Sequence, residues 1–390
     1  MASTTTTAVD EVLARLGAMT LEDKVDQLFI VAIGGTTAAS SAAWNTEQFG
    51  VETPSEVAAL GLGGVLYFAT NLGEPTEIAE LSNGIQAAAT GAGHPGLFIA
   101  LDQEGGRVRR LPEPFTLFPR ARTFGRINRP DLTERAAAVT ATEMRAVGIN
   151  QVLAPVLDVS TDHSTRIIGD RSYGTDPEVV ADMGAAAVSG FTSGGVLATA
   201  KHFPGHGPTA VDSHQALPVI DTSYPDWYHS DRIPFRAAAA AGAPAMIVGH
   251  LALPALDPAV VPASLSEPVV QGILRRGLGF RGLVMTDALQ MEGARSAGSD
   301  GEIAVMAIEA GADLLLMPRD FHVARQALLD AVASGRIPVS RIDESVERIL
   351  RAKHRLGVLD PVLVDLEAID GIVGAPEHRA VLDAVSEADG

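Results

Sequence analysis

Residues 195–214 read Gly195-Val-Leu-Ala-Thr-Ala-Lys-His-Phe-Pro-Gly-His-Gly-Pro-Thr-Ala-Val-Asp-Ser-His214. An almost wholly apolar run, Gly195–Ala200, leads straight into Lys201 and His202, and Pro204, Gly205, Gly207 and Pro208 then break the backbone. Three of the ten histidines, a lysine and an aspartate fall within residues 201–214. A buried strand running into a polar, irregular loop has this form, and rigid scaffolds carry their chemistry on such loops.

Working outward, comparable runs occupy 27–33, 64–68, 96–101, 151–159, 245–250, 282–286 and 313–317, which with 196–202 makes eight candidate strands. Most are continuous rather than alternating, as expected of parallel strands covered on both faces. Helical patterns separate them at 75–89, 132–147, 177–192, 234–241, 267–276, 301–310 and 322–334, with one more at 341–356. Pro75 and Pro177 suit first helical turns, and Gly148 and Gly311 suit C-terminal caps. Ser340 is expected to cap the last of these helices, with Asp343 and Glu344 in its first turn. Eight strands alternating with helices predict an α/β fold: one (β/α)8 barrel spanning residues 1–390, its core about 15–357 and a short helical extension over 358–390.

The bulk numbers agree with a large buried core: 390 residues, 46% hydrophobic, mean hydropathy +0.18. A net charge of −19, with no Lys/Arg run longer than a pair, argues against nucleic acid and anionic membranes as partners. No cysteine is present, which removes disulfides and thiolate chemistry and leaves the compartment open. The first residues, Met1–Glu11, show neither a basic nor an apolar leader segment, and no apolar run approaches the roughly 20 residues of a membrane span. A cytoplasmic protein is expected.

In such barrels the chemistry sits at the C-terminal strand ends. Those ends carry Asp102-Gln-Glu-Gly-Gly-Arg-Val-Arg-Arg110, Asp158 with Ile168–Gly174 beyond it, Lys201-His202, His250, and Thr286-Asp-Ala-Leu289. Asp287 reads either as a helix cap or as an ionised carboxylate aimed into the mouth, nucleophile or base. Asp212 and His214 read as a solvated loop pair or as a carboxylate that orients an imidazole for proton transfer and raises its pKa. His202 and His206, with Asp212 or His214, have the ligand types of a zinc site. That spacing needs a helix, which Pro204, Gly205 and Gly207 oppose, so no metal is expected. Asp102 could cap a turn, Asp170-Arg171 could be a structural ion pair, and His250 could merely pack at the rim. A buried Lys201 needs partners. Aspartate, arginine, lysine and histidine around one mouth suit a ligand with several hydroxyls, such as a sugar. No phosphate-cradling pattern is present, and no cofactor is expected.

The motifs Asp102-Gln-Glu-Gly-Gly-Arg-Val, Ala154-Pro-Val-Leu-Asp158, Gly169-Asp-Arg-Ser-Tyr-Gly174, Lys201–His214 and Val284-Met-Thr-Asp-Ala-Leu289 together resemble the family 3 glycoside hydrolases, in their bacterial β-N-acetylglucosaminidase branch. The resemblance implies a retaining mechanism. Asp287 takes the nucleophile's position, His214 that of the acid/base, and Asp212 that of its paired aspartate. Asp102, Arg110, Arg171, Lys201 and His202 take positions that bind the terminal sugar. The implied partner is a small oligosaccharide ending in β-linked GlcNAc, from muropeptides or chitin fragments. Tyr173 stands where Phe is commoner, and the second, α/β-sandwich domain of many members is expected to be lacking, as in the single-domain branch linked to peptidoglycan recycling. Three alternatives remain: a phosphorylase of the same fold, a sugar-binding protein without turnover, and a metal hydrolase.

Overall fold

The computed structural model describes residues 11–160, 167–207, 209 and 211–390. Residues 1–10, which bear on the leader reading, and Pro208 of the loop lie outside them. The described residues form eight parallel strands: β1 (Phe29–Ala32), β2 (Gly64–Tyr67), β3 (Phe98–Leu101), β4 (Gln151–Val152), β5 (Leu197–Phe203), β6 (Ala245–Val248), β7 (Leu283–Thr286) and β8 (Leu315–Leu316). Each falls inside or within one residue of an expected run, and every residue in them is buried. Burial on both faces is why these runs are apolar without alternation.

Each strand pairs in parallel with its sequence neighbour, and β1 also pairs with β8. The ring closes where Met285 bridges Leu314, so the chain folds as a (β/α)8 barrel. Asp313 secures that seam. Its carboxylate accepts from the Val284 N–H (2.9 Å), Arg275 (2.5 Å), Arg348 (2.9 Å) and the Ser345 hydroxyl (2.8 Å). Close strand approach leaves no room for a Cβ at Gly64, where one would sit 2.5 Å from the Phe98 carbonyl oxygen.

The helices used below are α1 (Pro75–Gly91), α2 (Ala121–Ile127), α3 (Pro130–Ala146), α4 (Pro177–Ser193), α5 (Tyr224–His229), α6 (Arg232–Ala240), α7 (Asp300–Ala310), α8 (Phe321–Ala333), α9 (Val339–Arg355) and α10 (Pro376–Asp389). Residues 268–277 wind as a π-helix. Pro75 and Pro177 do open their helices, and Gly148 and Gly311 take the positive φ of a terminating glycine (82° and 112°). Ser340 is not the cap of α9. Pro338 holds that position in an extended conformation and the helix begins at Val339, so Ser340 lies within the first turn. A proline fixes its own φ and needs no N–H donor there.

The C-terminal segment folds back onto the barrel. Glu143 of α3 accepts from the Gly374 N–H and from His378 Nδ1, each at 2.9 Å, and α10 packs against α2 and α3. No helix among the described residues is long and apolar enough to cross a membrane.

Candidate active site

The C-terminal ends of β3, β4, β5 and β7 deliver their polar residues to one mouth, and its deepest part is an ion cluster. Lys201 Nζ donates to Asp102 Oδ1 and contacts Glu104 Oε1, both at 2.7 Å. Arg171 grips Glu104 with two parallel bonds of 2.7 Å. Burial opposes the charge on Glu104, but Lys201 and Arg171 outweigh it and hold the carboxyl at about 2. Burial likewise opposes the Lys201 ammonium, and Asp102 and Glu104 more than compensate, so its pKa is raised. The alternative of an Asp170–Arg171 ion pair does not form: Arg171 turns to Glu104, while Asp170 binds Arg107 (3.0 Å) and Arg120 (3.3 Å). Arg110 lies on the same β3 loop, half-buried, its backbone N–H donating to Gln103 at 2.8 Å.

A second cluster centres on Asp158. Its carboxylate accepts from His202 Nδ1 (2.7 Å) and from the backbone N–H of His206 (2.7 Å) and His202 (3.3 Å). One side chain therefore orients a site imidazole and the start of the loop. His202 and His206 meet edge to face at 6.0 Å between ring centroids, with His206 Nδ1 unpaired. Burial is the main cause that lowers the His206 pKa. Among the described residues, no group of three or more His, Asp or Glu converges as a metal site would require.

Asp287 follows β7. Its backbone N–H bonds the Val248 carbonyl (3.0 Å), and its Oδ1 accepts from the Ala288 N–H (2.9 Å). Burial raises its pKa, but His202, His250, the Ala288 N–H and Lys201 reverse that and hold it below the usual carboxylate range. The result is an ionised carboxylate surrounded by cationic and donor groups. His250 is not at the rim. It is fully buried, bonded to the Ser264 hydroxyl (2.7 Å) and donating to the Ala288 carbonyl (3.1 Å), so it braces the residue after Asp287.

Asp212 and His214 bond one another on the β5 loop. Asp212 Oδ1 accepts from both the His214 N–H (3.0 Å) and His214 Nδ1 (2.8 Å), leaving Nε2 free to exchange protons. These bonds from His214 outweigh partial burial and lower the Asp212 pKa. The His214 side chain is 71% exposed and bonds no other site residue. One tether fixes the loop beside β7: the Gly293 N–H donates to the Ser213 carbonyl at 2.9 Å. Gly205 and Gly207 both adopt positive φ (119° and 44°), which gives the loop two positions where L side chains would be strained.

Three residues matter here that the sequence reading did not single out as site residues: Glu104, Asp158 and Asp231. For Glu104 the signal existed, since it lies two positions after Asp102 at the same strand end. In the sequence Asp158 is legible only as a polar strand end. Asp231 precedes α6, packs beneath Gly205, and is 8% exposed with Oδ1 unpaired. Burial, and then the Asp158 charge, push its carboxyl up to about 7. The folded state therefore binds this proton more tightly than the unfolded chain does, whose aspartate titrates near pH ~3.9. Stability from this group is present at low pH and lost as pH rises through about 7. Asp231→Asn is expected to flatten that loss, gaining about 2–4 kcal/mol over the native protein at alkaline pH and much less near pH ~4. Urea unfolding at several pH values checks it, and parallel curves for the two proteins would refute it.

Residues 20–352 match the family described as "Glycosyl hydrolase family 3 N terminal domain". The chain belongs to glycosyl hydrolase family 3. A β-hexosaminidase of Nitrosomonas eutropha is 36% identical over 316 residues, covering 76% of this chain and 89% of that protein. Among solved structures, a family 3 β-N-acetylglucosaminidase from Paenibacillus superposes with a TM-score of 0.88 at 39% identity, covering 95% of this chain and 69% of that one. A β-glucoside phosphorylase superposes with a TM-score of 0.86 at 26% identity, covering 97% of this chain and 67% of that one. Within the family pattern, Tyr173 is buried, and burial followed by the Glu104 charge raises its phenol pKa.

Proposed function

We propose that the protein is a retaining, exo-acting β-N-acetylglucosaminidase that hydrolyses non-reducing terminal β-linked GlcNAc. The observation that carries this reading is Asp287, a carboxylate kept ionised at the floor of a mouth that also presents Asp102, Lys201, Arg171 and His202. Relatives named β-hexosaminidase, and the Paenibacillus β-N-acetylglucosaminidase, support the substrate class.

In the proposed cycle, Asp287 attacks the anomeric carbon while His214 gives its proton to the departing glycosidic oxygen. His214 then takes a proton from water, whose oxygen displaces Asp287 and releases the sugar with its configuration retained. Retaining glycosidases ordinarily use two carboxyl groups whose pKa values must be driven apart. An imidazole reaches the same end with a higher intrinsic pKa, and Asp212 fixes its orientation. Because His214 lies open to solvent, the reading requires the loop to bring it over the mouth once sugar is bound, turning about Gly205 and Gly207. The ion cluster of Asp102, Glu104, Lys201 and Arg171 offers fixed donors and acceptors to ring hydroxyls.

The test is release of aglycone from aryl β-GlcNAc compared with aryl β-glucoside. Binding without turnover would sink the reading. His214→Ala should slow a poor leaving group by about 10²–10⁴-fold. An activated nitrophenol, which leaves without a proton, should be slowed far less. Equal losses on both substrates would contradict His214 as the acid.

The structural likeness to a β-glucoside phosphorylase, together with an acid/base that carries no negative charge when neutral, favours one second reading. Phosphate would replace water as the acceptor. Strong acceleration by millimolar phosphate, with sugar 1-phosphate as product, would establish it. Cell-wall muropeptides are the proposed substrate source and the cytoplasm the proposed compartment, on the family resemblance and the sequence readings; cell fractionation tests the latter.

A further inference from the structure

The barrel's opposite end, where the strands begin, holds a cavity of about 540 Å³. It opens between the residues that precede β5, β6 and β7 and the last turn of α9. Its walls are apolar and buried, with Val196, Leu197, Ala243, Phe280 and Ala352 among them. Its charges are of one sign. Arg145, Arg281 and Arg355 line it and no acidic residue among the described ones does, in a chain with 48 acidic residues against 29 basic ones.

Arg145 is the decisive residue. It lies in the last turn of α3, half-buried across Gly195, and makes no side-chain hydrogen bond or ion pair with any described residue. Burial alone lowers its pKa, with no carboxylate to compensate. Two other arginines buried near strand ends do have acceptors: Arg171 has Glu104, and Arg275 has Asp313 and the Gly282 carbonyl. Arg281 and Arg355, both exposed, likewise have no side-chain hydrogen-bond or ion-pair partner among the described residues and line the cavity. A partly desolvated guanidinium without an acceptor costs stability unless an anion meets it. The volume lies in the range that holds small organic ligands.

We propose that this cavity is a binding site for an amphiphilic organic anion, its carboxylate or phosphate head on Arg145 and its apolar body against Val196, Leu197 and Phe280. The site is separate from the catalytic mouth, at the other end of the strands, and stands whether or not the proposed sugar chemistry holds.

The test titrates the full chain with 8-anilinonaphthalene-1-sulfonate, an apolar body bearing an anion, and with the neutral N-phenyl-1-naphthylamine. One saturable site is expected for the sulfonate. Arg145→Ala and Arg145→Gln should each weaken it by about tenfold or more, which is roughly 1.4 kcal/mol, and change the neutral probe less than about twofold. Arg145→Lys should recover part of the loss. Ala239→Trp, which places an indole into the cavity from α6, should exclude both probes. Decanoate and decyl phosphate should compete, and their order identifies the preferred head group. Hydrolysis of aryl β-GlcNAc and the thermal midpoint, measured in parallel, confirm that each variant is folded. Absence of saturable sulfonate binding, equal affinity in the Arg145 variants, or failure of both competitors would overturn the proposal.

Discussion

Asp287→Ala is expected to lower turnover of aryl β-GlcNAc by about 10⁴-fold or more, close to 5.5 kcal/mol of barrier, with little change in the thermal midpoint. The size follows from the position. The carboxylate is ionised because His202, His250, Lys201 and the Ala288 N–H all favour its charge over the cost of burial. Truncation removes the charge together with its burial cost, and Lys201 and His202 keep other carboxylate partners in Asp102, Glu104 and Asp158, so the fold should tolerate it. A nucleophile and an electrostatic bystander are separated by rescue. In the alanine variant, azide can enter the space left and attack the anomeric carbon from the same face. Activity should return as azide is added, with the α-glycosyl azide as product. Residual turnover within about 100-fold of the native protein, or rescue that yields only the β-product, would remove Asp287 from the nucleophile's role.

Glu104→Ala is the second large effect, and here stability and activity fall together. The Glu104 side chain is 3% exposed and serves Lys201 and Arg171 at once. Its removal leaves two buried cations with Asp102 as the remaining nearby counter-charge on Lys201. Breaking a buried ion pair from one side typically costs about 3–5 kcal/mol, because the uncompensated charge stays behind. Glu104→Gln keeps the shape and should lose less. The pH dependence gives the decisive check. A carboxyl held at about 2 when folded and near ~4.3 when unfolded contributes stability above the unfolded value and loses it as pH falls through the folded one. The gap between native and Glu104→Gln proteins in urea unfolding should therefore be widest at neutral pH and close as pH drops toward about 2. A gap of constant size would mean that packing, not charge, explains the loss. Activity should fall mainly through KM, since Arg171 and Lys201 would lose the anchor that presents them to the sugar.

The strands were readable because both their faces are buried, which leaves long apolar runs whose C-terminal ends turn abruptly polar. Asp287, Lys201 and His202 stood out for that reason. Boundaries read less well: Pro338, just before α9, takes the cap position in place of Ser340. Side-chain partnerships were least legible. Asp158 and His202 are 44 residues apart, and Glu104 and Arg171 are 67 apart. Nothing local in either segment selects the partner. Asp170 and Arg171 do not pair, because adjacency in sequence does not make two side chains face each other, whereas the β3 loop delivers Glu104 to Arg171.

From the sequence alone came the barrel, the mouth at its C-terminal end, the absence of thiol chemistry, and the residues that the family pattern singles out. Those properties are local or periodic: apolar runs, glycine and proline breaks, and short motifs at strand ends. Tertiary structure alone decided which charges neutralise one another, that Asp231 is a buried acid under the loop, that His250 braces the chain next to Asp287, and that His214 lies open to solvent. It also left Arg145 unpaired beside a cavity at the far end of the strands. Those outcomes depend on distance and desolvation, and both are set by how separate segments close around one another.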